Sequence, residues 1–220
     1  MIIDAPSPNH DSRDGHAVDI LLLHYTGMQS GEAAIARLRD PVAKVSAHYV
    51  VEEDGRVFHL VPEDRRAWHA GVSSWMGAAN INQRSIGIEI VNPGHEFGYR
   101  AFPPAQMAAV LELSQGILVR HPIPPARVIG HSDVAPLRKE DPGELFDWQG
   151  LATAGVGVWL SPKPVQWSDD DFYAALQRYG YDIGDRPAVT RAFCRHFRQD
   201  RLTEQPDADL TAILNGLLHR

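Results

Sequence analysis

Of the 11 histidines in this chain, His24 and His131 stand apart. Each follows directly on a short apolar run, Leu21-Leu22-Leu23-His24 and Val128-Ile129-Gly130-His131. Such runs read as strands covered on both faces, and a strand end offers the rigid backbone that a metal ligand needs. Taken singly, each is ordinarily a hydrogen-bonded histidine at a sheet edge. The stretch after His131 changes the weighing, because it passes through Lys139 and Asp141 to Pro142. Pro142 disfavours the α conformation at Asp141, and in an extended segment positions 139 and 141 point to one side. An ammonium and a carboxylate would then face the same pocket. Two imidazoles and one carboxylate form a catalytic zinc set with a fourth position left for water. Calcium and magnesium want more oxygens, so the expected cofactor is zinc.

Glu89 is the next candidate, within Ser85-Ile86-Gly87-Ile88-Glu89-Ile90-Val91. A period of two puts Ile86, Ile88 and Ile90 on one face and Gly87, Glu89 and Val91 on the other. A glycine inside a strand marks close approach by a ligand or backbone. Alternation alone makes Glu89 a solvent-facing residue on an edge strand. Beside a zinc–water site it becomes a general base. Trp68-His69-Ala70-Gly71 reads as a loop able to line a groove, with an aromatic packed under a loop as the plainer reading. His10, His16, His59, His95, His121, His196 and His219 read as solvent-facing or ordinary hydrogen-bonding residues.

The elements that must position these groups alternate in type. Residues 18–25 read as a strand. Residues 30–39 form an amphipathic helix with Ser30 as N-cap and Pro41 just past its end. Residues 45–52 and 56–61 are strand-like and flank Asp54-Gly55, a hairpin signal. Pro103-Pro104 opens a helix to about Arg120, its stripe formed by Met107, Val110, Leu111, Ser114, Ile117 and Leu118. Residues 127–130 form a last short strand. The expected architecture is α/β, a mixed central sheet flanked by helices. Residues 1–150 form the catalytic domain, 151–167 a Gly- and Pro-bearing linker, and 168–220 a small three-helix module. That module opens with Ser168 as a capping box and carries Phe172, Leu176, Tyr179, then Val189, Phe193, Phe197, then Leu210, Ile213, Leu214, Leu217. It holds no carboxylate–histidine constellation, and a core that small must lean on the main domain.

A length of 220 residues with 44% hydrophobic and 22% charged places the chain in the globular range and excludes wholesale disorder. A net charge of −7 argues against a nucleic-acid partner. The single cysteine, Cys194, excludes an internal disulfide. No apolar run is long enough for a membrane span. Met1-Ile2-Ile3-Asp4-Ala5-Pro6 shows neither a basic-then-apolar leader nor a lipobox cysteine, so the expected compartment is the cytoplasm.

Five blocks taken together resemble a known family. They are Leu22-Leu23-His24-Tyr25-Thr26, Val45-Ser46-Ala47-His48-Tyr49, Arg66-Ala67-Trp68-His69-Ala70-Gly71, Ser85-Ile86-Gly87-Ile88-Glu89, and Gly130-His131-Ser132-Asp133 continuing through Lys139-Glu140-Asp141-Pro142-Gly143. Their order and identity are similar to the type-2 N-acetylmuramoyl-L-alanine amidases, the AmpD/AmiD group, and more distantly to T7 lysozyme and the peptidoglycan recognition proteins. The resemblance implies that His24, His131 and Asp141 bind zinc, that Glu89 is the general base and that Lys139 stabilises the oxyanion. It implies substrate contacts for His69 and Arg138, and peptidoglycan fragments as the partner. The implied reaction is hydrolysis of the amide between the muramoyl lactyl group and L-alanine, in cell-wall recycling. Tyr179-Gly180-Tyr181 and Ala192-Phe193-Cys194-Arg195-His196-Phe197 resemble a helical peptidoglycan-binding-like module. The spacing from His24 to Ser46 is shorter than in the cytosolic anhydro-muropeptide enzymes and looks more like the envelope lipoprotein branch. Two rivals stay open: a non-catalytic recognition module, and a zinc hydrolase that cuts another amide of the stem peptide.

Overall fold

The computed structural model describes residues 2–219; Met1 and Arg220, the outer ends of the two domain ranges, lie outside them. The chain opens with β1 (Ile2–Asp4), β2 (His10–Ser12), β3 (Ile20–Tyr25) and α1 (Gly31–Arg39). Short strands follow: β4 (Tyr49–Val51), β5 (Val57–His59), β6 (Arg65–Ala67), β7 (Ser74–Trp75) and β8 (Ala78–Ala79). Then come α2 (Ile81–Arg84), β9 (Ser85–Ile90), α3 (Gly94–Phe97), α4 (Pro104–Arg120), β10 (Val128–Gly130), α5 (His131–Val134) and α6 (Trp148–Thr153). The chain ends in α7 (Asp169–Tyr179), α8 (Arg186–Phe197) and α9 (Ala208–Leu218).

The central sheet has the order β1-β5-β4-β9-β3-β10 and is mixed, with β4 and β5 as its antiparallel pair. β9, β3 and β10 run parallel, so they deliver their C-terminal ends side by side. His24 pairs across from Glu89, and Gly130 pairs with Leu23, which sets His131 in the next row. β9 is therefore an interior strand, and Glu89 does not lie on an edge.

Alternation sorts the two faces. Leu21, Leu23, Ile86, Ile88, Ile90 and Val128 pack with Val110, Leu113 and Ile117 of α4 on one side. Ile20, Leu22 and Ile129 point the other way, into a core shared with Phe172 and Leu176 of α7, Phe193 of α8 and Leu214 of α9. The face that carries His24, Glu89 and His131 is thus the face the C-terminal helices cover.

Local chemistry explains the boundaries. Ser30 caps α1 through Ala33 N–H, and Ser168 forms a reciprocal box with Asp171 at the start of α7. Pro104 occupies the first turn of α4. The stretch read as linker begins with the last residues of α6, because Asp147 caps a helix through Gly150 N–H that buries Leu151. Strands 45–52 and 56–61 shrink to β4 and β5; Ser46 and His48 lie just before β4 with their side chains in buried hydrogen bonds. β2, β6, β7 and β8 were not legible, because two or three residues cannot display a period.

Candidate metal centre

His24 Nδ1 lies 2.9 Å from His131 Nδ1 and 3.0 Å from Asp141 Oδ2, and His131 Nδ1 is 3.1 Å from the same oxygen. All three residues are buried. His131 sits at the start of α5, immediately beyond β10, and Ser132 N–H donates to the Asp141 carbonyl at 2.9 Å. The two ligand segments are therefore tied to each other by backbone.

Proton positions follow from the outer partners. His131 Nε2 is 3.0 Å from the Ala70 carbonyl, which can only accept, so that nitrogen carries the hydrogen. Ser85 Oγ gives its one hydrogen to the Ile81 carbonyl at 2.7 Å, so it accepts from His69 Nε2 at 3.3 Å. His69 Nδ1 is then bare and receives His24 Nε2–H at 3.0 Å. In the neutral rings both inner Nδ1 atoms are left with lone pairs, facing a carboxylate oxygen. Three acceptors converging at 2.9–3.1 Å call for a cation between them. Their triangle is slightly tighter than the edge of about 3.3 Å of a tetrahedral ion with bonds near 2.0–2.1 Å. The donor set fits a transition metal of zinc's kind.

Electrostatics agree. Burial, together with the neighbouring His131, pushes His24 down to about 4. Burial would raise Asp141, but His131 and His24 beside it outweigh that and hold its carboxyl below the usual range. Glu89 is pushed up to about 8 by burial and by the charge of Asp141, against the pull of Lys139. Its Oε2 is shut off from solvent and has no hydrogen-bond partner among the described residues. Glu89, Lys139, His131 and Asp141 line one cavity of about 400 Å³, together with Trp68 and Arg37. A second cavity of about 730 Å³ shares Tyr25, Lys139 and Asp141 with it and extends to Arg191 of α8.

His69 and Arg138, expected to contact substrate, each border a cavity and are also held by protein groups. His69 borders the first cavity, but both its nitrogens are engaged, by His24 and Ser85. Arg138 borders the second cavity, while its guanidinium donates to the carbonyls of Ala70 (3.3 Å) and Val72. It thereby braces the carbonyl that orients His131.

Asp133, Tyr181 and His196 were missed as parts of the site. Asp133 is buried in α5 and accepts from Gly130 N–H at 2.7 Å, Tyr181 O–H at 2.6 Å and His196 Nδ1 at 2.7 Å. Of the two readings for His196, solvent-facing or hydrogen-bonding, the second holds: it is bonded to Asp133, buried, and stacked between Trp148 and Phe197. The one available signal was Asp133 following His131 by two positions.

Comparison with known proteins decides the family. The model of the N-acetylmuramoyl-L-alanine amidase family matches residues 14–144, more than half of the chain. The chain belongs to this family. AmiD, the N-acetylmuramoyl-L-alanine amidase of Escherichia coli K12, is 36% identical to this amidase over 92% of the chain and 83% of its own length. The structure of E. coli AmiD in complex with its substrate anhydro-N-acetylmuramic acid-L-Ala-D-gamma-Glu-L-Lys superposes with a TM-score of 0.83, covering 94% of this chain and 90% of that one. AmpDh3 of Pseudomonas aeruginosa, 33% identical, matches with a TM-score of 0.84 over 96% and 93% of the two chains. The amidase fold here is thus the mixed sheet with its C-terminal helices. No described helix is long and apolar enough to cross a membrane.

Proposed function

We propose that this amidase is a zinc enzyme that hydrolyses the amide between the lactyl group of N-acetylmuramic acid and L-alanine in soluble anhydro-muropeptides during cell-wall recycling. The observation that carries the reading is the convergence of three bare donor atoms, from His24, His131 and Asp141, beside a buried carboxyl without a partner, Glu89. The anhydro-muropeptide held by the AmiD relative supports the substrate class. A cytoplasmic setting, where released fragments are met, goes with it.

His24, His131 and Asp141 would hold the zinc. Zinc, when bound, supplies Lewis acidity and lowers the pKa of a water from about 16 toward about 7. Glu89 takes the proton of the attacking water and delivers it to the departing L-alanine nitrogen. Its unpartnered Oε2 leaves it free to take and give that proton. Lys139 places its ammonium where negative charge grows on the carbonyl oxygen. Ala70 and His69 fix the two imidazoles, and Arg138 fixes Ala70.

Incubation with anhydro-muropeptide tests the reading by mass spectrometry. The expected product is a free peptide beginning with L-alanine, lost on chelation and regained with zinc. Cleavage inside the stem peptide, or turnover indifferent to chelation, would overturn it.

A further inference from the structure

We propose that the C-terminal helical unit is a working part of the metal centre: Tyr181 and two consecutive residues of α8, Arg195 and His196, position the His131 and Asp141 ligand segments. The proposal rests on the reading that these residues hold zinc.

The contacts are specific. Asp133, two residues beyond His131, has its Oδ1 filled by Tyr181 O–H and its Oδ2 shared by His196 Nδ1 and Gly130 N–H. Two of those three bonds come from the C-terminal unit; the third fixes the residue just before His131. Arg195 donates at 2.8 Å to Glu140, the residue just before Asp141, and its side chain is only 7% exposed. α8 therefore grips the chain next to both ligands, and Ser132 N–H joins the two gripped segments through the Asp141 carbonyl.

The donors are themselves held. His196 lies between the rings of Trp148 and Phe197, each at 3.9 Å between centroids. Tyr181 packs against Trp75 at 4.9 Å. An appended wall-binding module would carry its own core. Here Phe172, Phe193 and Leu214 share one with Ile20, Leu22 and Ile129 of the central sheet. α5 is a single turn of four residues, too short to hold its direction unaided. The carboxylate of Asp133 with its three donors supplies that direction, as hydrogen bonds behind metal ligands generally do.

Zinc affinity, read by competition with a chromophoric chelator in the full-length chain, tests the proposal alongside melting temperature. Tyr181→Phe removes one donor and keeps the ring; Tyr181→Phe with His196→Ala removes two. The double substitution should weaken zinc binding by about tenfold or more. His196→Asn, whose amide nitrogen takes the place of Nδ1, should restore most of it. Leu214→Ala in the shared core should lower the melting temperature and leave zinc affinity intact. The proposal is overturned if the double variant binds zinc as the unaltered chain does, or if Leu214→Ala weakens zinc as much at equal loss of melting temperature. His24→Ala separates the two layers of argument. If the unaltered chain binds no more zinc than His24→Ala, the metal reading itself fails.

Discussion

Gly87→Ala puts a methyl group where the structure has none to spare. Gly87 lies inside β9, and a Cβ there would sit 2.5 Å from both Cγ and Nδ1 of His69. Carbon contacts settle near 3.5–4.0 Å, so the ring must retreat by about 1 Å. The strand cannot give way instead, because β3 and β4 pair with it on both sides. The His24 Nε2–His69 Nδ1 bond, now 3.0 Å, would open toward about 4 Å and cease to be a hydrogen bond. Overpacking of this kind costs about 1–3 kcal/mol, and loss of the group behind a ligand about 10–100-fold in metal affinity. Chelator competition and thermal melting read the two effects separately. Adding His69→Ala makes room for the methyl, so the pair of substitutions should be less than additive in stability. Native zinc affinity and melting temperature in Gly87→Ala would refute the reasoning.

Glu89→Gln should keep stoichiometric zinc and lose nearly all turnover, whereas Asp141→Ala should lose zinc first; zinc analysis beside a rate assay tells them apart. Lys139→Ala should lower kcat by about 10²–10³ while moving KM less, since its partner is the transition-state oxyanion. Acid should destabilise the chelated protein below about pH 6.5. His48 is buried with Nδ1 accepting from Gly87 N–H, and burial together with Arg13 depresses it to about 3. A folded pKa below the unfolded 6.5 leaves stability complete above pH 6.5 and loses it as pH falls, and His24 acts in the same direction. Glu89 is raised to about 8 and acts oppositely, gaining stability from pH 8 down toward 4.5. Urea midpoints should therefore fall more steeply on acidification in Glu89→Gln than in the unaltered chain; parallel profiles would contradict the assignment.

The grouping of His24, His131 and Asp141 was legible from local signals, whereas the roles proposed for them and for Glu89 came from the family resemblance. His24 and His131 cap apolar strands, and Glu89 alternates with isoleucines. The glycine at position 87 signalled a close approach, although the neighbour is a histidine ring and not a backbone. What escaped was relational. Asp133 reads as an unremarkable turn residue until Tyr181 and His196 arrive from far along the chain. His69 gave no hint that both its nitrogens would be engaged. Ser46 and His48 lie in the stretch that propensity had added before β4; their side chains make buried hydrogen bonds while the His48 backbone still bonds to Gly87 and Leu60.

The parallel pairing of β3 with β9 and β10 bears on how such a centre comes into being during synthesis. His24 and Asp141 are 117 positions apart. At ribosomal rates of about 5–20 residues per second, the first ligand waits roughly 6–25 s for the last. Until β9 is made, about halfway through that interval, Ile20 to Leu23, wholly buried in the finished sheet, has neither of its neighbours and is an adhesive strand; its β10 edge stays open almost to the end. Before Asp141 is made, a lone imidazole would hold a metal too weakly to matter. If the three residues hold zinc, their site is complete only in the nearly finished polypeptide.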